Sequence, residues 1–167
     1  MLFNAADTIV VGKFVGETAL AAVGATGSIV FLLTSVFNGL SVGANVIVAK
    51  LLGGQDEKKT SLAVHTSIFI GLVGGIVLAI LGIFFSRTLL TLMSTPEDII
   101  DLSNLYMQIY FIGAVFLLVY NFGSAVLRSK GDTQRPLVYL TISGLLNVGL
   151  NLFFVIVLHM DVAGVAL

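Results

Sequence analysis

The sequence predicts an all-α polytopic membrane protein: a helix bundle of four full transmembrane helices, with the end of a first helix before them and the start of a sixth after them. Three observations predict it. Of 167 residues, 57% are hydrophobic and only 10% charged, whereas soluble domains carry about 25% charged residues, and the mean hydropathy is +1.09. The charges are bunched, with long uncharged gaps between the bunches. Inside the gaps, glycines and small polar residues recur at helical steps.

The elements follow in order. Residues 1–12 are apolar apart from Asn4, Asp7 and Thr8, too short to cross a bilayer before Gly12-Lys13, and read as the end of a first helix. An acid where an apolar core would sit, and no basic start, exclude a signal peptide. The uncharged run from Thr18 to Ala49 is too long for one straight crossing at ~1.5 Å per residue. With Gly24 and Gly27 it predicts a short surface segment near 17–23 and then a span over 26–49. The runs Thr60–Ser86, Leu102–Leu127 and Pro136–Leu158 are each one span long, a helix needing ~20 apolar residues to cross a ~30 Å core. They place spans at 60–85, 102–127 and 136–158. Residues 162–167 turn apolar again and read as the start of a sixth helix.

All eight Lys and Arg fall in the connections. Alternate connections hold Lys50, Lys58, Lys59, Arg128, Lys130 and Arg135 on one side, against Lys13 and Arg87 on the other. The positive-inside bias makes the 50–59 and 128–135 loops cytoplasmic, in a cell (inner or plasma) membrane. A net charge of −1 argues against a nucleic-acid partner, and the absence of cysteine excludes disulfides and thiolate sites. Two distant histidines make no zinc site. No span pairs an acid with a base or a nucleophile with its base, so an enzyme is not predicted, and no cofactor is implied.

Polar residues within the spans are the candidate site. Thr34, Asn38, Ser41 and Asn45 stand at steps of four, three and four on one helix face. Ser143, Asn147 and Asn151 form a second stripe at steps of four, and Asn121 lies near the basic end of its span. Each stripe has two readings, helix packing or the wall of a water-lined cavity. Gly71 and Gly75 on the 60–85 span read as packing. Asp7 differs, because a charge at mid-bilayer costs ~2.5–3.5 kcal/mol even on the lenient scale. It shares a face with Asn4 and lies ~9 Å along the axis from Lys13. No basic residue in the spans can pair with it, so its partner is a proton, a cation such as Na⁺, a cationic substrate or a residue elsewhere. That points to transport.

"NAADTIVVGKFVGETALAAVG" resembles the end of the first helix and the approach to the second in the multidrug and toxic compound extrusion (MATE) family. "NGLSVGANVIVAKLLGGQDEKK" is similar to that family's second-helix end and first cytoplasmic loop, and "AVLRSKGDTQRP" to its loop after the fourth helix. "SGLLNVGLNLFFVIVL" resembles its fifth helix, and "VAGVAL" the beginning of its sixth. The resemblance implies that residues 1–167 are a partial N-terminal six-helix lobe of a twelve-helix transporter, whose remaining helices complete the protein. It implies export of cationic or amphipathic organic compounds in exchange for H⁺ or Na⁺ by alternating access. It also implies a coupling site at Asp7, with Asn4, Asn147 and Asn151, and cavity lining by Asn38, Ser41, Asn45, Asn121 and Ser143. Several members carry an aspartate where Asn151 stands, so this chain holds one carboxylate where those hold two. A lipid-linked oligosaccharide flippase of the same superfamily predicts cavity lysines and arginines, which the spans lack. A truncated membrane fragment, inactive alone, is the remaining alternative.

Overall fold

The computed structural model describes residues 11–13, 15–158 and 160–166. Four long helices dominate: α1 (Glu17–Gly53), α2 (Glu57–Leu92), α3 (Glu97–Ser129) and α4 (Gln134–Leu152). A five-residue π-helical segment, Phe153–Val157, extends α4, and α5 (Asp161–Ala166) follows. Each of the four, with the π segment counted into α4, is long and apolar enough to cross a membrane. They are the expected full spans. The expected separate piece at 17–23 is instead the first two turns of α1. Ala19, Ala22, Thr26 and Ile29, at steps of three and four, bury one face there, so the helix runs on through Gly24 and Gly27.

The connections are short because local chemistry stops each helix sharply. After α1, Gln55 adopts a left-handed φ of 55° and its N–H reaches Leu52 O at 3.1 Å. Asp56 then caps α2 by accepting from Lys59 N at 3.0 Å. Its carboxylate also meets Lys59 Nζ at 2.8 Å. The Lys59 side chain first, and its amide second, hold Asp56 below the usual carboxylate range. Pro96 precedes α3, whose first turn holds Glu97 and Asp98, well placed against the helix dipole. Gly131, at φ 81°, turns the chain between α3 and α4, a conformation glycine takes without a Cβ penalty.

Helices α2 and α3 form a tight antiparallel hairpin. A Cβ on Gly75 would lie 2.6 Å from the Val115 Cα, and one on Gly82 would overlap the Phe111 ring. Gly71 faces Phe122 in the same way at 3.0 Å. The sequence reading of these glycines as packing is what the structure shows. At the far end the hairpin is latched by polar contacts. Arg87 meets Asp101 at 2.7 Å, Ser86 donates to Asn104, and Gln108 donates to Ile83 O at 3.3 Å. Leu78, Leu90, Met107, Phe111 and Leu118 fill the core between them, joined by Ile29 of α1.

Helix α1 runs parallel to α3. Ser103 donates to Ala22 O at 3.2 Å, Asn121 to Asn38 Oδ1 at 2.8 Å, and Asn45 to Ala125 O at 2.8 Å. A second cluster joins Val11, Ala19, Val155 and Val162, with Leu20, Val23, Tyr106 and Leu152 around them. Outward, the bundle shows large apolar side chains to its surroundings, Phe116 at 78% and Phe84 at 75% exposure among them. Hydrocarbon is the solvent in which that surface is stable, since every helix satisfies its own backbone bonds. The topology gathers Lys50, Lys58, Lys59, Arg128, Lys130 and Arg135 at one end of the bundle, and Arg87 with Glu97, Asp98 and Asp101 at the other.

Candidate functional site

Ser143, Asn147 and Asn151 fall on successive turns of α4 and line an open groove of about 440 Å³ that, among the described residues, is walled by α4 alone. Asn151 is 1% exposed and its Nδ2 lies 3.5 Å from Asn147 Oδ1. Two amides a turn apart present carbonyl oxygens and N–H donors together, a set that suits a small cation or a protonated partner.

The helix changes form two residues beyond Asn151. Leu158 N–H bonds Phe153 O at 3.3 Å, a five-residue step, and such π segments are enriched at functional sites. Sequence reasoning missed it. The run Phe153-Phe154-Val155-Ile156-Val157, aromatic and β-branched throughout, was the available signal, because such residues lose rotamer freedom in an α-helix. Short α5 sits on this segment closely: a Cβ on Gly164 would come within 3.0 Å of Phe154 Cβ.

The α1 stripe meets α3. Thr34 donates to Val30 O at 2.7 Å, and buried Ser41 donates to Asn38 O at 2.8 Å, each within its own helix. Asn45 spends its amide on the α3 backbone, and Asn38 pairs with Asn121. The structure thus brings Asn38 to Asn121 and Asn147 to Asn151. It sets Ser41 and Asn45 between helices. Asn4 and Asp7 lie outside the described residues.

A second chamber of about 260 Å³ opens between α1 and α3 at the end away from the basic loops. Thr26 and Thr34 of α1 and Tyr106 and Tyr110 of α3 line it. The two tyrosine rings stack with centroids 6.3 Å apart and planes 24° from parallel. Among the described residues, no lysine or arginine lines it. Tyr106 also packs in the cluster that holds Leu152 and Val155, so the end of the α4 stripe adjoins this chamber. The tyrosines were not singled out from the sequence, although their four-residue spacing puts both on one face. Among the described residues, no three His, Asp or Glu side chains gather into a metal-binding group.

The MatE family model matches residues 1–153. The chain is 36% identical over 166 residues to the probable multidrug resistance protein YpnP of Bacillus subtilis (strain 168), a match covering 98% of this chain and 37% of that protein. It is 27% identical over 149 residues to the FAD transporter of Shewanella oneidensis, covering 89% of this chain and 33% of that protein. A crystal structure of MATE in the bent conformation superposes with a TM-score of 0.93 at 27% identity, over 99% of this chain and 37% of that one. The chain spans about a third of the length of these proteins. With four helices able to cross a bilayer and a family model matched over most of its length, this multi-pass membrane chain belongs to the MatE, or multidrug and toxic compound extrusion, family.

Proposed function

We propose that the chain forms most of the N-terminal lobe of a secondary antiporter. The complete protein exports cationic or amphipathic organic compounds in exchange for H⁺ or Na⁺ by alternating access, with the 50–59 and 128–135 loops in the cytoplasm. The observation that carries the reading is the Asn147–Asn151 pair, facing an open groove on α4 just before the π segment and beside a chamber of stacked tyrosines. Aromatic faces attract organic cations within about 6 Å of the ring centroid, which suits such cargo to Tyr106 and Tyr110.

In this mechanism Asp7 takes up a proton or Na⁺ from one side and releases it to the other. Asn4, Asn147 and Asn151 supply the amide oxygens and donors around it. Protonation removes the desolvation penalty of the carboxylate and lets the lobe close around a neutral site. With Asn151 in place of a second acid, one proton is the simpler coupling ion. For Ser41 and Asn45 the geometry favours helix packing, and the Asn38–Asn121 pair stays a candidate for the wall of the pathway.

The relative named as an FAD transporter raises a flavin dinucleotide as an alternative cargo. The stacked rings suit its flavin, but the described lining residues offer no cation to its pyrophosphate. The test is ethidium efflux from cells lacking their own drug pumps and expressing the complete reading frame, wild type or Asp7→Asn, with and without Na⁺. Efflux lost in the mutant, and unaffected by Na⁺ in the wild type, is the expected result. Equal efflux in both proteins would remove Asp7 from the mechanism.

A further inference from the structure

At the basic end of the bundle, away from the proposed transport pathway, lies a cavity of about 670 Å³. Three segments build it: Gln55 from the loop after α1, Glu57, Thr60 and Ser61 from the first turns of α2, and Lys130 at the end of α3. Three features of this pocket are unexplained by the fold. Lys130 and Glu57 line the same space, yet neither forms an ion pair among the described residues, while their neighbours Lys59 and Arg135 are paired with Asp56 and Asp132. Thr60 is 8% exposed and its hydroxyl has no partner, although its amide bonds Asp56 O. Left so, a buried hydroxyl costs ~1–3 kcal/mol. The third feature is a more open groove of about 890 Å³ that shares Glu57 and Ser61 and is lined further by Lys58, Lys59, His65 and Leu62, the last 68% exposed on the flank of α2.

We propose that this pocket binds the headgroup of an aminophospholipid from the adjoining leaflet. Lys130 and the Ser61 and Thr60 hydroxyls take the phosphate, and Glu57 takes the ammonium group. A zwitterion bridges two opposite charges that do not reach each other, and both charges gain a charge-assisted partner. The groove, lined by Lys58, Lys59 and His65 as well as Leu62, leads out along the flank of α2, where exposed Leu62 and Phe69 offer the acyl chains apolar surface that a soluble phosphorylated amine would leave empty. The proposal does not depend on the transport reading.

Native mass spectrometry of the purified protein in detergent tests it, with phosphatidylethanolamine, phosphatidylglycerol, free phosphoethanolamine and inorganic phosphate as probes. Phosphatidylethanolamine should be retained in preference to phosphatidylglycerol. Lys130→Ala should weaken its retention about tenfold, the loss of one charge-assisted bond. Glu57→Gln should erase the preference between the two lipids while keeping binding. Thr60→Val should weaken both lipids alike, and circular dichroism should show unchanged helicity in each variant. Lipid retention equal across the wild type and all three variants would overturn the proposal. Displacement by free phosphoethanolamine or by phosphate would overturn the lipid assignment and make this a site for soluble phosphate compounds.

Discussion

The α2–α3 hairpin and helix α4 are built from similar residues and held in opposite ways. The hairpin closes through glycines that admit no Cβ, carries a core of Leu, Met and Phe, and is latched at its far end by polar contacts. Helix α4 buries Pro136, Gly144 and Asn151 among its described residues, and its start is tied to α3 by Tyr120 Oη donating to Pro136 O at 2.8 Å. A stripe of amides and a change of helical form occupy its other half. Close packing leaves the hairpin one arrangement, whereas the π segment marks a place where α4 departs from regular helix, as helices often do at functional sites. The described bundle therefore has a frame and a proposed working part, with Asn147 and Asn151 on the latter.

The largest expected effect breaks the frame. Gly75→Leu pushes a side chain into the Val115 backbone, which cannot rotate away, and Gly82→Ala drives a methyl into the Phe111 ring. Overpacking of this kind costs about 1–3 kcal/mol or more, so both variants should lose detergent-stable, monodisperse protein on a thermal series read by size-exclusion chromatography. The matched control is Gly149→Ala on α4, where an added Cβ meets nothing within 4 Å. It should melt at or slightly above the wild-type temperature, because alanine is the better helix former by about 1 kcal/mol. Equal damage at the two sites would erase the contrast between frame and working part.

The next effect belongs to function. Asn151→Leu should cut efflux by the complete transporter at least about tenfold, the value of one lost polar contact at a working site. It should leave the melting temperature within the range set by the glycine control. Asn151→Asp restores the second acid and should make efflux depend on Na⁺ where the wild type does not.

Most of this frame was legible in the sequence. Uncharged gaps gave four spans and the three-and-four spacing gave their faces, because bilayer thickness and helix rise are fixed quantities. The glycines at Gly71 and Gly75 announced close approach. The continuity of α1 through Gly24 was not legible, since it depends on a buried face completed by other helices. Nor was the partner of each polar side chain. Asn45 and Asn151 look alike in the sequence, yet one holds a backbone carbonyl of α3 and the other faces Asn147 in an open groove. Periodicity assigns a face to each residue, and only the fold assigns a neighbour.

Asn45 gives the third test, sized between function and surface. Asn45→Ala removes its bond to Ala125 O and should cost about 0.6 kcal/mol, the usual value of an interhelical side-chain bond in a membrane. The readout is a shift of the thermal midpoint with efflux retained. Loss of efflux without a shift would return Asn45 to the pathway wall.

The smallest effect lies at the hairpin's base, where Asp56 caps α2 and holds Lys59. Its folded-state carboxyl sits below the usual range because the charged form gains the Lys59 contacts. The contribution is therefore complete above the ordinary carboxylate value and fades as pH falls through the lowered one. Asparagine caps about as well as aspartate but carries no charge. Asp56→Asn should thus increase hydrogen exchange at the first turn of α2 slightly at neutral pH, and match the wild type once Asp56 itself is protonated. Asp56→Ala, which also removes the cap, should increase exchange further and stay faster at both pH values. If Asp56→Asn and the wild type exchange alike at neutral pH, the charge contributes nothing beyond the cap.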